Sequence, residues 1–241
     1  MSGGLVSAVT RGVSRRLGFG RRKVKKSYGK RRLRARYNAF KPRVLSLRSP
    51  GVPTKIITRL RYCDSKTLGN GTTTIGSHTF RCNSVYDPDF TGTGHQPLYH
   101  DQMSLLYQNY KVLKARIVAK GMSSQGVTLG NICFGLDILD SDNTVDTDPN
   151  TIRERAGSKY KTITPQMPQT VTGGWNLKKS KVSDEDGYTA LCTANPSNVD
   201  YFRIYSFSAD GSSLLGSSVC SVQIEIDYVV EYFNPVMVSG S

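Results

Sequence analysis

The sequence predicts an all-β fold, an eight-stranded antiparallel jelly roll behind a disordered basic N-terminal arm. About eight segments between residues 54 and 233 alternate apolar and polar side chains, as half-buried strands do. Eight strands separated by turns match the two-sheet jelly roll. The first 62 residues contain 19 lysines and arginines and no acid, so they have too little apolar surface and too much charge to collapse.

The strand predictions rest on alternation with a period of two. Strands are predicted over residues 54–64, 77–85, 111–121, 131–139, 160–165, 171–179, 200–208 and 220–233, with a turn at 69–71. In the first of these strands Leu60 and Tyr62 share one face, and Arg59 and Arg61 share the other. In the last, the even-numbered residues from Val222 to Tyr232 are apolar, so we expect them to face the core.

One segment has helical spacing. Met103, Leu106, Tyr107 and Tyr110 occupy positions i, i+3, i+4 and i+7. This pattern predicts a short helix that begins near Asp101 and includes them.

The charge distribution divides the chain into two parts. We expect residues 1–50 to form a basic arm and residues 51–241 to form one β domain, with Pro42, Pro50 and Pro53 near the boundary. Residues 63–241 contain all 18 acids and only 14 bases, so the body is nearly neutral. A body of this length can bury about 70% of its unfolded surface, which suffices for a stable core.

The arm has the composition of a nucleic-acid-binding segment. Its lysines and arginines can neutralise phosphates, its aromatic residues can stack on bases, and its glycines keep the backbone pliable. The predicted nucleic-acid-binding residues are Arg11, Arg15, Arg16, Arg21, Arg22, Lys23, Lys25, Lys26, Lys30, Arg31, Arg32, Arg34, Arg36, Lys41, Arg43 and Arg48. Arg59 and Arg61 can extend this surface along the first strand. A solvated tail that only aids solubility is the alternative, but it needs far fewer bases.

Other chemistry has little support in the sequence. His95, His100 and Asp101 lack the spacing of a metal site, and we expect Gly92 and Gly94 to shape their loop while His95 and Gln96 hold it by hydrogen bonds. The sequence shows no catalytic motif, so we expect neither an enzyme nor a cofactor. An acidic loop at 137–148 invites a calcium interpretation, but it lacks the glycine and glutamate of an EF-hand, which favours a solvent-exposed turn. Its acids are Asp137, Asp140, Asp142, Asp146 and Asp148.

Several further features bear on the compartment and the core. The five cysteines are scattered, which argues against a disulfide framework or a zinc site. The sequence shows no export signal and no apolar run long enough for a membrane span, so we expect no membrane insertion. Trp175 and the tyrosine-rich segment 200–208 are expected in the core or in contacts between subunits.

The segment 80–118 carries a family resemblance. Its runs are NSVYDPD (83–89), GHQP (94–97), Asp101-Gln102, Tyr107 and YKV (110–112). They closely resemble capsid proteins of circular, Rep-encoding single-stranded DNA viruses, which are circovirus-like. The resemblance is specific over these forty residues and rests elsewhere on the basic arm and the strand order.

The resemblance implies a single jelly roll that builds a small icosahedral shell, most simply of sixty copies, around a circular single-stranded DNA genome. It also implies location in the virion and entry into the host nucleus during assembly, with the nuclear import machinery as a partner. The host-cell receptor stays unidentified. The residues that resemble a two-part nuclear localisation signal are Arg21, Arg22, Lys23, Lys25, Lys26, Lys30, Arg31, Arg32, Arg34 and Arg36.

A charge estimate is consistent with packaging. Sixty arms, each carrying 19 bases, would hold about 1,100 positive charges, enough to neutralise on the order of a thousand nucleotides. This estimate does not distinguish DNA from RNA, so the shell protein of a small single-stranded RNA satellite virus is an alternative. A cellular nucleic-acid-binding protein, such as a ribosomal or chromatin component, is a second one.

Overall fold

The computed structural model describes residues 43–44, 51–69, 74–123, 132–140, 148–155, 157–164, 167–178, 186–209 and 220–237. The described strands are β1 (Arg43–Val44), β2 (Lys55–Leu68), β3 (Ile75–Arg81), β4 (Tyr107–Ser123), β5 (Ile132–Leu139), β6 (Lys159–Ile163), β7 (Gln169–Asn176), β8 (Thr189–Leu191), β9 (Tyr201–Ser208) and β10 (Cys220–Pro235). The described helices are α1 (His100–Ser104), α2 (Pro149–Glu154) and a 3₁₀ turn at Asp186–Tyr188.

The strands form two antiparallel sheets with jelly-roll topology. Sheet 1 has the order β1-β2-β10-β4-β7, with β8 also paired to β4, and sheet 2 has the order β3-β9-β5-β6. The four long strands of sheet 1 and the four of sheet 2 interleave along the chain as two Greek keys do. The predicted eight-stranded antiparallel jelly roll is therefore confirmed, with β1 and β8 as two short additions.

The core lies between the two sheets. Strand β10 is central to sheet 1, because it pairs with β2 on one side and with β4 on the other. Its even-numbered residues from Val222 to Tyr232 are buried, as the alternation predicts. Trp175 and all of β9 are also buried, which confirms the expectation for the aromatic segments. Each fully buried large side chain contributes about 1.5–3 kcal/mol relative to exposure.

The predicted helix is shorter than its spacing suggested. Helix α1 ends at Ser104, and Tyr107 and Tyr110 belong to strand β4, so the helical prediction for these tyrosines is wrong. Pairing with β10 decides the outcome, because Tyr107 lies opposite Pro235 and Tyr110 lies opposite Tyr232. Both tyrosines are buried in the core although they are three residues apart. Tertiary pairing has overridden a local pattern that suits a helix.

Part of the outer face of sheet 2 is covered as well as its core face. Helix α2 places Ile152 against Ile75, Tyr205 and Phe207, which form a second, smaller apolar cluster with Cys133. Asp148 is the N-cap of the helix, and its side chain accepts a hydrogen bond from the amide of Asn150 at 2.9 Å, with Pro149 as the first helical residue. These start signals were present in the sequence, but the prediction missed them.

Several smaller expectations can be placed. Gly69 opens the predicted turn with φ of +103°, whereas residues 70 and 71 lie outside the described residues. All five cysteines are free thiols, and only Cys63 is exposed. Neither described helix has the length and apolar character that crossing a membrane requires.

Candidate nucleic-acid interface

Most of the predicted nucleic-acid-binding residues lie outside the described residues. This holds for Arg11 through Lys41 and for Arg48, and therefore for the whole predicted nuclear localisation signal. For Arg43 the structure describes the backbone, which belongs to β1. This strand pairs with β2 and places Arg43 opposite Ile57. The last part of the predicted arm thus forms the edge of sheet 1.

The outer face of sheet 1 is basic. Alternation and register place seven bases and three carboxylates on it, which leaves four net positive charges among the described side chains. The bases are Lys55, Arg59, Arg61, Lys111, Lys114, Arg116 and Lys120, and the acids are Glu225, Asp227 and Glu231. We call this surface the basic face.

The bases of β2 are paired with the acids of β10. Lys55 Nζ lies 3.1 Å from Glu231 Oε1. Asp227 accepts hydrogen bonds from both arginines of β2, from Arg59 at 2.5 Å and from Arg61 at 2.8 Å. Arg61 also lies 3.6 Å from Glu225. Arg59 and Arg61 do face outward, as the alternation predicts, but carboxylates of β10 offset part of their charge.

Asp227 is a nearly buried carboxylate on an exposed face. Burial by itself would raise its pKa, but the hydrogen bonds from Arg61 and Arg59 outweigh burial and hold the pKa below its ordinary value. The same pairing raises the pKa of Arg61, whose hydrogen bond to Asp227 is the main cause. Asp227 therefore stays ionised at neutral pH and fixes the two guanidinium groups side by side.

The bases of β4 supply the surplus charge. Within the described part of the chain, Lys114, Arg116 and Lys120 form no ion pair. A bulge places them on one face with Lys111, because the register against β10 shifts at Leu113, which packs toward the core. Lys111 and Lys114 are three residues apart, so strict alternation without a bulge would point them to opposite faces.

The arrangement suits a phosphate backbone. Alternate residues of a strand lie about 6.7 Å apart, so the β4 bases form a row of separated cations along one direction. Such a row can bind a polyanion without reading bases, and the paired arginines of β2 lie on the other side of β10 from it. Sequence analysis missed the β4 bases, because they occur in an ordinary alternating strand.

The first part of the segment that carries the family resemblance, between β3 and α1, forms a tightly held loop. Asp89 is fully buried, and its carboxylate lies 2.6 Å from Lys66 Nζ and 2.9 Å from His78 Nε2. Its Oδ1 also accepts hydrogen bonds from the backbone amide and the hydroxyl of Thr91. Burial opposes ionisation, but these partners lower the pKa of Asp89 to about 2. This acid therefore joins β2 and β3 to the loop.

The predicted roles of the glycine-rich part of the loop are only partly correct. Gly94 is required, because a Cβ there would lie 2.7 Å from the Cβ of Asp89, and Gly92 has φ of +73°. His95 stacks on Tyr62 with the ring centres 4.7 Å apart. The buried Oε1 of Gln96 accepts no hydrogen bond from the described residues. The predicted hydrogen-bonding role of His95 and Gln96 is therefore not what holds the loop.

His100 is part of the core. Its Nε2 donates to the carbonyl of Cys192 at 2.9 Å, and its Nδ1 accepts from the hydroxyl of Tyr232 at 2.8 Å. Burial lowers the pKa of His100, which favours the neutral ring that this pattern needs. Among the described residues, no group of three or more His, Cys, Asp or Glu side chains is placed to hold a metal ion.

The described parts of the acidic loop have structural roles. Asp137 belongs to β5 and is buried, with its carboxylate 3.0 Å from Arg155. Asp148 caps α2. The predicted solvent-exposed turn is therefore wrong for Asp137, because β5 includes it. Asp140 is exposed, and Asp142 and Asp146 lie outside the described residues.

No protein-family model matches the sequence, and no curated protein matches it. The structure is similar to the BFDV capsid protein crystallised as a 60-mer, with 10% identity and a TM-score of 0.46, over 78% of this chain and 97% of that one. It is also similar to the Macrobrachium rosenbergii nodavirus semi-empty particle, with 13% identity and a TM-score of 0.46, over 80% and 100%. Cucumber leaf spot virus gives 15% identity and a TM-score of 0.48, over 83% and 56%.

Proposed function

We propose that this chain is a viral capsid protein that assembles into a small icosahedral shell and packages a circular single-stranded DNA genome through its arm. The observation that carries the proposal is the separation of charge. Residues 1–62 contain nineteen bases and no acid. The body that follows is a nearly neutral jelly roll. The jelly roll is a fold that viral shells use.

The basic face supports the same function. Residues 43–44 of the arm pair with β2, so the arm joins the body at the edge of the sheet that carries this face. We infer that the basic face contacts the phosphates of the packaged strand, while the arm supplies most of the charge. Because shell assembly holds many arms together, weak contacts of each arm combine into a strong total interaction.

The DNA cargo and the nuclear step belong to the proposal through the family resemblance of residues 80–118. The part of that segment before α1 builds a structural loop around Asp89, so this part of the motif concerns the shell. The basic runs at 21–26 and 30–36 are proposed to serve nuclear import before assembly and packaging during it.

Deletion of residues 1–48 tests the function. We expect a folded body that still assembles but carries little nucleic acid, measured as the ratio of absorbance at 260 to 280 nm of purified particles. A matched control keeps the arm length and replaces its sixteen lysines and arginines with glutamine. This control should lose nucleic acid as the deletion does, because charge rather than length is responsible.

The same particles identify the cargo. After disruption, DNase should degrade the nucleic acid of wild-type particles and RNase should leave it intact. The reverse result would assign the chain to a single-stranded RNA virus. If particles of the truncated chain keep a normal nucleic-acid content, the arm is not the packaging element.

A further inference from the structure

An exposed apolar surface lies at one end of the sandwich, apart from the basic face. Leu98, Leu105 and Met237 are 76%, 75% and 92% exposed. The backbone joins the segments, since the amide of Val236 donates to the carbonyl of Leu106 at 2.9 Å and Met103 donates to Tyr99 at 3.1 Å. We define the α1 surface as Leu98, Tyr99, Leu105, Leu106, Val236 and Met237.

We propose that the α1 surface is a contact between copies of this chain. The inference rests on the proposed shell function and names the residues through which one copy meets another. Large side chains each present about 150–250 Å² when exposed. Six of them, exposed by 37% to 92%, therefore offer several hundred Å², close to the ~800 Å² per partner of a stable interface. Soluble monomers rarely leave a connected apolar surface of this size uncovered.

The charge of residues 1–50 argues against the basic arm as the segment that covers the α1 surface. Residues 1–50 contain 16 lysines and arginines and no acid, so an apolar surface offers them nothing that offsets their desolvation. Helix α1 contributes one acid, Asp101, which is too little to attract a polycation. A second copy brings the same leucines and tyrosine, which are complementary to an apolar surface.

A buried histidine anchors the α1 surface to the core. His100 lies in the sequence between Leu98-Tyr99 and Leu105-Leu106 and is anchored in the core by Tyr232 and Cys192. Tyr99 has φ of +74°, a left-handed backbone that bulky residues rarely adopt, and its side chain is 70% exposed. A surface that is already ordered loses little conformational entropy on association. Tyr99 therefore has a strained backbone conformation while its side chain is exposed on this surface.

The test compares full-length wild type with the double variant Leu98→Ser/Leu105→Ser. We expect the protein concentration for half-maximal assembly, measured by sedimentation and negative-stain microscopy, to rise at least tenfold. Met167→Ser is the matched control, because Met167 is 61% exposed and follows β6, away from the α1 surface. It should change that concentration less than twofold. Single-strand binding at low salt should be the same for all three proteins.

A second variant, Met237→Glu, guards against misfolding, since a side chain that is 92% exposed does not support the fold. It should raise the assembly concentration in the same direction. If wild type assembles and both variants assemble at its concentration, the α1 contact is wrong and the shell function stands. A wild type that never assembles would instead refute the shell function. Binding of neutral phosphatidylcholine vesicles with unchanged assembly of the variants would assign the surface to lipid and overturn the proposal.

Discussion

The outer faces of the two sheets are built from similar alternating strands, yet they present opposite surfaces. On sheet 2, Tyr205 and Phe207 point away from the core and are still buried, because Ile152 of α2 covers them. On sheet 1, Arg116 and Lys120 occupy the corresponding outward positions and are exposed. No described element crosses the basic face in the way that α2 crosses sheet 2.

The difference shows that the two sheets have separate tasks. The connection between β5 and β6 contains α2, which covers the outer side chains of Tyr205 and Phe207 in sheet 2, and these buried side chains stabilise the domain. The bases on the outer face of sheet 1 are exposed or only partly buried, so their charge is available to a partner. Substitutions on the two faces should therefore differ in kind, affecting folding on one and binding on the other.

The largest expected effect is on the covered face. Phe207→Ala should lower the free energy of unfolding by about 3–5 kcal/mol, because a large buried ring leaves a cavity. Val118→Ala, on the basic face, is the counterpart and should cost less than about 1 kcal/mol, since Val118 is only partly buried. Urea unfolding of the full chain, followed by Trp175 fluorescence, measures both. Equal losses at the two positions would refute the division of tasks.

A smaller effect separates the carboxylates of the two faces. Asp137→Asn should cost about 2 kcal/mol at pH 7, because Asp137 is buried and the substitution removes the charge that pairs with Arg155. Asp227→Asn should cost about 1 kcal/mol, because its arginine partners are substantially exposed. Chemical unfolding of both variants and the wild type measures the difference.

The pH dependence sharpens the expectation for Asp227. Its folded pKa is lowered, so the stability that it contributes is present above the ordinary carboxyl pKa of about 3.9 and is lost as pH falls through the lower folded value. The gap between wild type and Asp227→Asn should therefore narrow as the pH falls from about 3.9 and close once the pH is below the folded pKa. A gap that persists unchanged at acid pH would mean that the ion pairs are not its source.

The smallest effect on stability is expected for the β4 bases. Arg116→Gln/Lys120→Gln should change the free energy of unfolding by less than about 0.5 kcal/mol. In single-strand binding, the slope of log K against log salt should fall by about 1.4, or roughly 0.7 for each lost phosphate contact. Lys159→Gln/Lys161→Gln removes the same charge from exposed positions on β6 of sheet 2, off the basic face, and should leave more of the slope intact. Identical slopes for both pairs would refute a specific basic face.

Sequence patterns were sufficient for most of the strands. The alternation in β2 and β10 predicted which side chains face the core, and both strands pair in that register. The helix predicted for Tyr107 and Tyr110 was wrong, because the spacing of two core tyrosines three residues apart is typical of a helix. Their pairing with β10 places them in a strand instead. Strand β8 was missed because three residues are too few for a periodic signal.

Sequence patterns predicted only part of the candidate site. Arg59 and Arg61 were found by alternation, but their pairing with Asp227 joins residues that are 166 and 168 positions apart in the chain. The β4 bases depended on the bulge at Leu113, which no local pattern predicts. His95 and Gln96 were assigned hydrogen bonds from residue type alone, whereas the position of Tyr62 gives His95 a stacked ring instead.

By itself, the sequence determined the fold class and the separation of a cationic arm from a neutral body, because alternation and charge are local properties. Only the tertiary structure decided which outer face is covered, which bases remain unpaired and where the apolar α1 surface lies. These features arise when distant strands and connections meet, and their contacts depend on register and packing rather than on neighbours in the chain.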